Sequence, residues 1–190
     1  MVANFTAIYD ACVLYPAPLR DFLMELALTD LFKARWTEEI HDEWIKNVLK
    51  NRSDLTSERL TKTKTLMNIA VRDCLVTGYQ ALVPGLQLPD PNDRHVLAAA
   101  IRAQADIIVT FNLDDFPMQI LSEFGVEPQH PDEFILHLID LNPAKVCTAI
   151  ERQRSRLKNP PKTIEEHLDT LLAQQLPQST ATLRQLYFET

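Results

Sequence analysis

Residues 88–116, LPDPNDRHVLAAAIRAQADIIVTFNLDDF, decide the fold. Asp90 suits the N-cap of a helix and Pro91 its first position, and from residue 95 to 104 apolar side chains recur at helical spacing. Residues 106–110, DIIVT, are a short β-branched run, which is typical of a buried parallel strand. The stretch therefore predicts a helix, then a strand, then an acidic loop.

Three aspartates are predicted to meet at one rim of this sheet. Asp93 stands at the start of the helix and Asp115 follows the strand. A right-handed connection brings both to the carboxyl ends of the strands, where ligand sites of open α/β sheets lie. Asp10 ends a first strand, predicted at residues 5–10 with an extension to 14, and burying a carboxylate there requires a metal or polar partner. Each of these aspartates, like Asp90, has an alternative interpretation as a helix cap or turn residue.

The bulk composition bounds the class of protein. With 190 residues, 46% hydrophobic and 24% charged, the chain predicts one globular domain with room for an appendage. It contains no apolar run long enough for a membrane span, and Asp10 interrupts the N-terminal apolar run, so neither a membrane protein nor a signal peptide is predicted. Three cysteines without CxxC spacing, Cys12, Cys74 and Cys147, indicate neither disulfides nor a zinc knuckle and favour a reducing cytoplasm.

The net charge of −7 hides two basic segments. Residues 46–64 hold six Lys or Arg against two acidic residues, and residues 145–162 hold six against one. Basic segments beside an acidic body suit a protein that grips a polyanion, although solvated helix faces explain them equally well. The candidate contacts are Lys46, Lys50, Arg52, Arg152, Arg154 and Arg156.

The remaining segments predict helices around a parallel sheet. A helix covers residues 18–33, Thr37 caps a second helix, Ser57 caps a third, and residues 81–83 form a short strand. After the deciding stretch come a short helix, an edge strand and another helix, at 117–124, 126–127 and 131–141. This order predicts an α/β fold, a short parallel β-sheet flanked by α-helices, over residues 1–142. Residues 143–190 predict helices alone, a C-terminal α-helical extension.

The second predicted helix carries a further pair of carboxylates. Glu39 and Glu43 lie one turn apart, an arrangement that repels unless a cation or base lies nearby. Glu43 precedes Trp44 and is the better candidate for a position at the edge of the core.

These residues together resemble a known family. Asp10 after the first strand, Glu43 in the second helix, Asp93 in DRHVLAAAI and Asp115 in VTFNLDDF are similar to the motifs of PIN-domain ribonucleases, especially VapC-type toxins. The resemblance covers roughly residues 5–141. It implies a PIN-like fold, four catalytic carboxylates that hold Mg²⁺ or Mn²⁺, and endonucleolytic cleavage of RNA by an activated water. It also implies a type II toxin with a cognate antitoxin that occludes the site, and it leaves a homodimer open. Thr110, Asn112 and Asp90 would support the four carboxylates.

Two departures from the family pattern bear on the site. Many PIN domains carry Asp two residues after the strand-ending Thr, where this chain has Asn112, so the fourth carboxylate must come from Asp115 or Asp114. Cys12 stands where Ser or Asn is often seen, which predicts that the usual polar support of Asp10 is missing. The nearest histidines, His41 and His95, are interpreted as ordinary helix-surface residues, so metal-independent chemistry is disfavoured.

Two other functions remain open at this point. A haloacid dehalogenase-like phosphohydrolase would use Asp10 as nucleophile, but that class wants a second Asp where this chain has Cys12. A catalytically inactive PIN scaffold would serve as an RNA-binding or protein-interaction module. Metal-dependent cleavage of a mixed RNA pool separates these alternatives.

Overall fold

A parallel sheet of four short strands forms the centre of the computed structural model, which describes residues 5–188. All four side chains of the first strand are buried, as expected for a strand covered on both faces. The spatial order is β2-β1-β3-β4, with every pair parallel. The strands are β1 (Thr6–Tyr9), β2 (Lys33–Arg35), β3 (Ile107–Val109) and β4 (Glu127–Gln129).

Helices cover the sheet and continue beyond it, so the α/β prediction with a helical C-terminus is confirmed. Short 3₁₀ turns connect them, among them 91–93 and 113–115. The helices are α1 (Ala11–Leu14), α2 (Ala17–Ala27), α3 (Glu38–Asn51), α4 (Ser57–Ala70), α5 (Arg94–Ala103), α6 (Met118–Leu121), α7 (Pro131–Leu141), α8 (Pro143–Ser155), α9 (Ile164–Leu172) and α10 (Pro177–Phe188).

Two of these helices position the site, and their sequences explain where they begin. Thr37 accepts a hydrogen bond from the Ile40 amide at 3.0 Å and caps α3 as predicted, and Trp44 of this helix is fully buried. Helix α5 packs on β1 and β3 through a buried face that includes Val96 and Ala99. The amino end of α5 therefore lies beside the carboxyl ends of the two central strands.

The structure corrects four details of the predicted elements. The first strand does not extend to residue 14, because the Asp10 carboxylate accepts the Ala11 amide at 2.6 Å and starts α1 there. The helix predicted over 18–33 ends at Ala27, and 33–35 pair with β1 instead. The strand predicted at 81–83 is part of a 3₁₀ helix, Gln80–Gly85. Thr56, not Ser57, caps α4.

The C-terminal helices are joined to the rest of the molecule by buried polar contacts. Helix α8 packs on α2, and α10 packs on α7. Asp132 at the start of α7 is only 3% exposed and accepts hydrogen bonds from the amides of Gln178 at 2.9 Å and Ser179 at 2.8 Å. This carboxylate therefore caps α10 from another helix. Over the described residues, no helix is long and apolar enough to cross a membrane.

Candidate active site

An acidic cleft of about 640 Å³ opens at the carboxyl edge of the sheet. Helix α3 contributes Glu43, the turn before α5 contributes Asp90 and Asp93, and the loop after β3 contributes Asn112 and Asp115. Three of the four carboxylates predicted to be catalytic thus line one cleft. Asp114 is exposed and does not line it, so the geometry favours its neighbour as the fourth carboxylate.

The fourth predicted residue, Asp10, is buried beside this cleft and is held in one orientation. It is 3% exposed, and its Oδ2 accepts hydrogen bonds from Thr110 Oγ1 at 2.7 Å and Cys12 Sγ at 3.0 Å. Burial raises the pKa of Asp10, and these two hydrogen bonds oppose the rise. The negative charge of Glu43 adds to the rise, which places Asp10 within electrostatic reach of the cleft.

Cys12 overturns the prediction that polar support for Asp10 is missing. Its thiol contacts the carboxylate directly and accepts the Phe111 amide at 3.2 Å. Burial raises the pKa of the Cys12 thiol well above its ordinary value, with the charge of Asp10 as the second cause. The thiol therefore stays protonated and donates to Asp10, as a serine hydroxyl would.

Asp93 is the residue on which the negative charges converge. It occupies the N-cap position of α5, yet its side chain makes no capping hydrogen bond. The pKa of Asp93 is raised to about 7, chiefly by burial and then by the charges of Asp10, Asp90, Asp115 and Glu43 in that order. A half-buried carboxylate beside four like charges, without a capping role, has the electrostatics of a cation site that lacks its counter-charge.

His95 lies between two glutamates and is not the surface residue that the sequence suggested. It is 7% exposed, with Nε2 3.4 Å from Glu43 Oε2 and Nδ1 3.8 Å from Glu39 Oε2. Tyr79 donates to the same Glu39 oxygen at 2.9 Å. His95 is therefore the base that the spacing of the two glutamates required. A signal was available, because His95 stands one turn before the buried Ala99.

His41 is also buried rather than exposed, and its contacts are structural. It is 0% exposed, its Nδ1 accepts from Trp44 Nε1 at 3.0 Å, and its Nε2 lies 2.9 Å from Asn68 Oδ1. Burial lowers the pKa of His41. The neutral tautomer that donates from Nε2 satisfies both contacts.

The supporting residues have separate roles. Thr110 is fully buried, and its Oγ1 receives the Asn112 amide at 3.0 Å while donating to Asp10. The side chain of Asn112 lines the cleft. Asp90 accepts from the backbone amide of Asn92 at 2.8 Å and caps the 3₁₀ turn before α5, as its alternative interpretation held.

The six basic candidates are distributed unevenly around the site. Lys46 lines the acidic cleft, whereas Arg52 forms a two-point pair with Asp54 at 2.8 and 2.7 Å. Arg154 is held by Glu151 and a backbone carbonyl, and Arg156 pairs with Glu25. Lys50 and Arg152 are exposed. Within the described chain, Lys46 is thus the member of this set that the fold brings to the cleft.

The donor chemistry of the cleft fits a hard divalent cation. The side chains of Asp93 and Asp115 make no hydrogen bond with residues 5–188, so their oxygens are free. As they stand, no three His, Cys, Asp or Glu side chains among those residues are close enough to hold a metal ion together. Mg²⁺ commonly binds through one or two carboxylates and keeps several waters, so a spread set of free carboxylates suits it.

Comparison with known proteins identifies the family of this fold and site. A family model described as the PIN domain matches residues 6–114, more than half of the chain. The chain belongs to the PIN-domain family. The matched residues of this PIN domain include Asp10, Glu43 and Asp93 and end one residue before Asp115.

A second model and one relative extend the comparison. The model of the VapC50 C-terminal domain matches residues 131–185, which begin with α7 and include most of the helical extension. A protein of Mycobacterium tuberculosis named VapC50, described as a ribonuclease, is 37% identical over 110 residues, 58% of this PIN-domain chain and 64% of that protein. The chain thus spans less than two thirds of that relative. No solved structure matches the chain.

Proposed function

We propose that this chain is a divalent-metal-dependent endoribonuclease and the toxin of a type II toxin–antitoxin pair. The observation that carries the proposal is the electrostatic coupling of Asp93 to Asp10, Glu43 and Asp115, whose charges add to the effect of burial in raising the pKa of Asp93 to about 7. Membership of the PIN-domain family and likeness to a protein described as a ribonuclease support it.

The four carboxylates are the residues that would hold Mg²⁺ or Mn²⁺. When bound, such an ion lowers the pKa of a coordinated water and neutralises charge on the phosphate under attack. Asp10 presents a fixed carboxylate because three hydrogen bonds hold its two oxygens. His95 keeps Glu43 from being repelled by Glu39 on the same helix.

The charges of the cleft bear on the substrate, and likeness to VapC-type proteins is what suggests the partner. An acidic cleft repels RNA until its carboxylates are neutralised, and Lys46 at its wall supplies a contact for a phosphate. An antitoxin would act by covering this cleft, and three free thiols suit the cytoplasm as the place of action. The homodimer stays a prediction.

The decisive experiment compares adjacent aspartates on a mixed RNA pool with Mg²⁺ or Mn²⁺ and with a chelator. Asp93→Asn and Asp115→Asn should each lower the cleavage rate by a factor on the order of 100 or more. Asp114→Asn is the matched control and should cleave as the wild type does, since Asp114 does not line the cleft. Cleavage that survives both the chelator and Asp93→Asn contradicts the proposal. Co-expression with the product of an adjacent small gene tests the toxin assignment.

A further inference from the structure

Two side chains connect Asp10 to the loop that follows β3. The amide of Phe111 donates to Cys12 Sγ at 3.2 Å, and the amide of Asn112 donates to Thr110 Oγ1 at 3.0 Å. Both acceptors lie against the same oxygen, Oδ2 of Asp10, at 3.0 Å from Sγ and 2.7 Å from Oγ1.

The chemistry of these groups fixes the direction of their hydrogen bonds to the loop amides and to Asp10, whereas in the 3.3 Å contact between Cys12 Sγ and Thr110 Oγ1 either atom could donate. A backbone amide can only donate, so the sulfur and the hydroxyl oxygen must accept from the loop. An ionised carboxylate can only accept, so each group directs its one hydrogen to Asp10. Oδ1 of Asp10 is held separately by the Ala11 amide at 2.6 Å. Removing the thiol would therefore leave a loop amide without its acceptor and Oδ2 with one donor fewer.

We propose that Cys12 is a positioning residue that locks the Asp10 carboxylate to the loop carrying Asn112 and Asp115. This inference rests on the proposed function, since it assigns the lock to the cleft that would hold the divalent ion. Asp10 comes from the end of β1 and Asp115 from the loop after β3, and a backbone bond joins the two strands there, from the Asp10 amide to the Val109 carbonyl at 3.1 Å. Cys12 and Thr110 supply the two side-chain links that continue this connection.

The test compares Cys12→Ser, which keeps a donor and an acceptor, with Cys12→Ala, which keeps neither. Mn²⁺ alone is titrated into each purified protein, and binding is followed by calorimetry or by the Mn²⁺ electron paramagnetic resonance signal. Cys12→Ala should weaken Mn²⁺ binding by about tenfold or more, as loss of a group that orients a metal ligand does. Cys12→Ser should restore most of the affinity. Cys147→Ala, on α8, is the control for loss of a thiol and should bind as the wild type does.

A second measurement needs neither metal nor activity. In metal-free protein, hydrogen exchange at the Phe111 amide should lose its protection in Cys12→Ala and keep it in Cys12→Ser. A folded Cys12→Ala protein with wild-type Mn²⁺ affinity overturns the inference, and so does a Cys12→Ser protein as impaired as Cys12→Ala. If the wild type binds no Mn²⁺, the proposed function fails. The exchange of the Phe111 amide then decides the lock: unchanged exchange in Cys12→Ala overturns it, and lost protection supports it.

Discussion

Nε2 of His95 lies 3.4 Å from Oε2 of Glu43, and Nδ1 of the same ring faces Glu39 at 3.8 Å. Burial lowers the pKa of His95, but the contact with Glu43 and the charges of Glu39, Glu43 and Asp10 outweigh it, so the pKa is raised above its ordinary value. The ring therefore offsets the repulsion between two glutamates on one face of α3. This relationship holds Glu43 at the cleft.

Replacing this ring should destabilise the protein through the repulsion that it now offsets. We expect His95→Ala to lower the free energy of unfolding by about 1–3 kcal/mol. Adding Glu43→Gln should recover part of that loss, because the double variant removes one of the repelling charges. Urea unfolding of the two single variants and the double variant measures the coupling. His137→Ala, at an exposed position of α7, is the control, and purely additive losses would contradict the electrostatic role.

The raised pKa of Asp93 predicts that its contribution to the stability of the fold falls as pH rises, which is opposite to the behaviour of most aspartates. Its pKa is about 7 in the folded protein and 3.8 for an ordinary aspartate. Between these values the folded protein holds a proton that the unfolded chain has lost, so the contribution of Asp93 to stability falls as pH rises from about 4 to about 7. Solvent screening reduces the size of this effect, because the side chain is half-buried.

The contribution of Asp93 is isolated by thermal melting of Asp93→Asn and of the wild type from about pH 4 to about pH 7, both in the presence of a chelator. The stability advantage of Asp93→Asn should grow with pH and level off above about 7. Excess Mn²⁺ should reverse the order at neutral pH, because an ion bound by the wild type stabilises only the protein that binds it. An advantage that does not vary with pH would remove Asp93 from the repelling cluster.

The elements that form the core could be predicted from the sequence, whereas an edge strand could not. Residues 107–109 are apolar and β-branched, and α5 has a continuous buried face, so their own patterns specify them. Strand β2 is Lys-Ala-Arg, which has no strand pattern and becomes a strand only by pairing with β1. Residues 81–83 have a better pattern but pair with no strand within residues 5–188, and Pro84 follows them within a 3₁₀ helix.

Asp10, Asp93 and Asp115 could be proposed because each follows or begins a recognisable element, and Glu43 because it lies one turn after Glu39 in a predicted helix. Their partners could not be chosen in the same way, because a hydrogen bond depends on contacts between distant segments. Cys12 acquires its role from Thr110 and Phe111, and His95 acquires its role from α3. The spacing of Glu39 and Glu43 could predict a cation or base nearby, but not which residue supplies it.

Substitutions of Lys46 and Lys50 test whether the basic segment at residues 46–64 guides RNA to the cleft. They lie one turn apart on α3, but Lys46 lines the cleft and Lys50 does not. Lys46→Ala should weaken binding of single-stranded RNA and lower the slope of log affinity against log salt by about 0.7, the value for one phosphate contact. Lys50→Ala should change both less. Binding is measured with catalytically impaired Asp93→Asn protein, and equal effects of the two lysines would indicate a diffuse charge effect.

Substitution of Asp132 tests whether the C-terminal helices unfold as one cooperative unit with the residues before them. Asp132→Ala removes the group that caps α10 and leaves the amides of Gln178 and Ser179 without acceptors, so we expect a loss of about 2–4 kcal/mol. Both tryptophans, Trp36 and Trp44, lie in the α/β part of the chain.

The fluorescence of Trp36 and Trp44 therefore reports only on the α/β part of the chain during urea unfolding. If the molecule is one cooperative unit, Asp132→Ala shifts the fluorescence midpoint and the far-UV circular dichroism midpoint together. If the extension is a separate domain, as a boundary after residue 142 implies, the fluorescence midpoint stays and a second transition separates. Asp140→Ala, exposed on the same helix, should change stability by no more than about 0.5 kcal/mol. The family model of the VapC50 C-terminal domain begins at residue 131, so it joins α7 to the helices that follow rather than dividing the chain after residue 142. We therefore expect the two midpoints to move together.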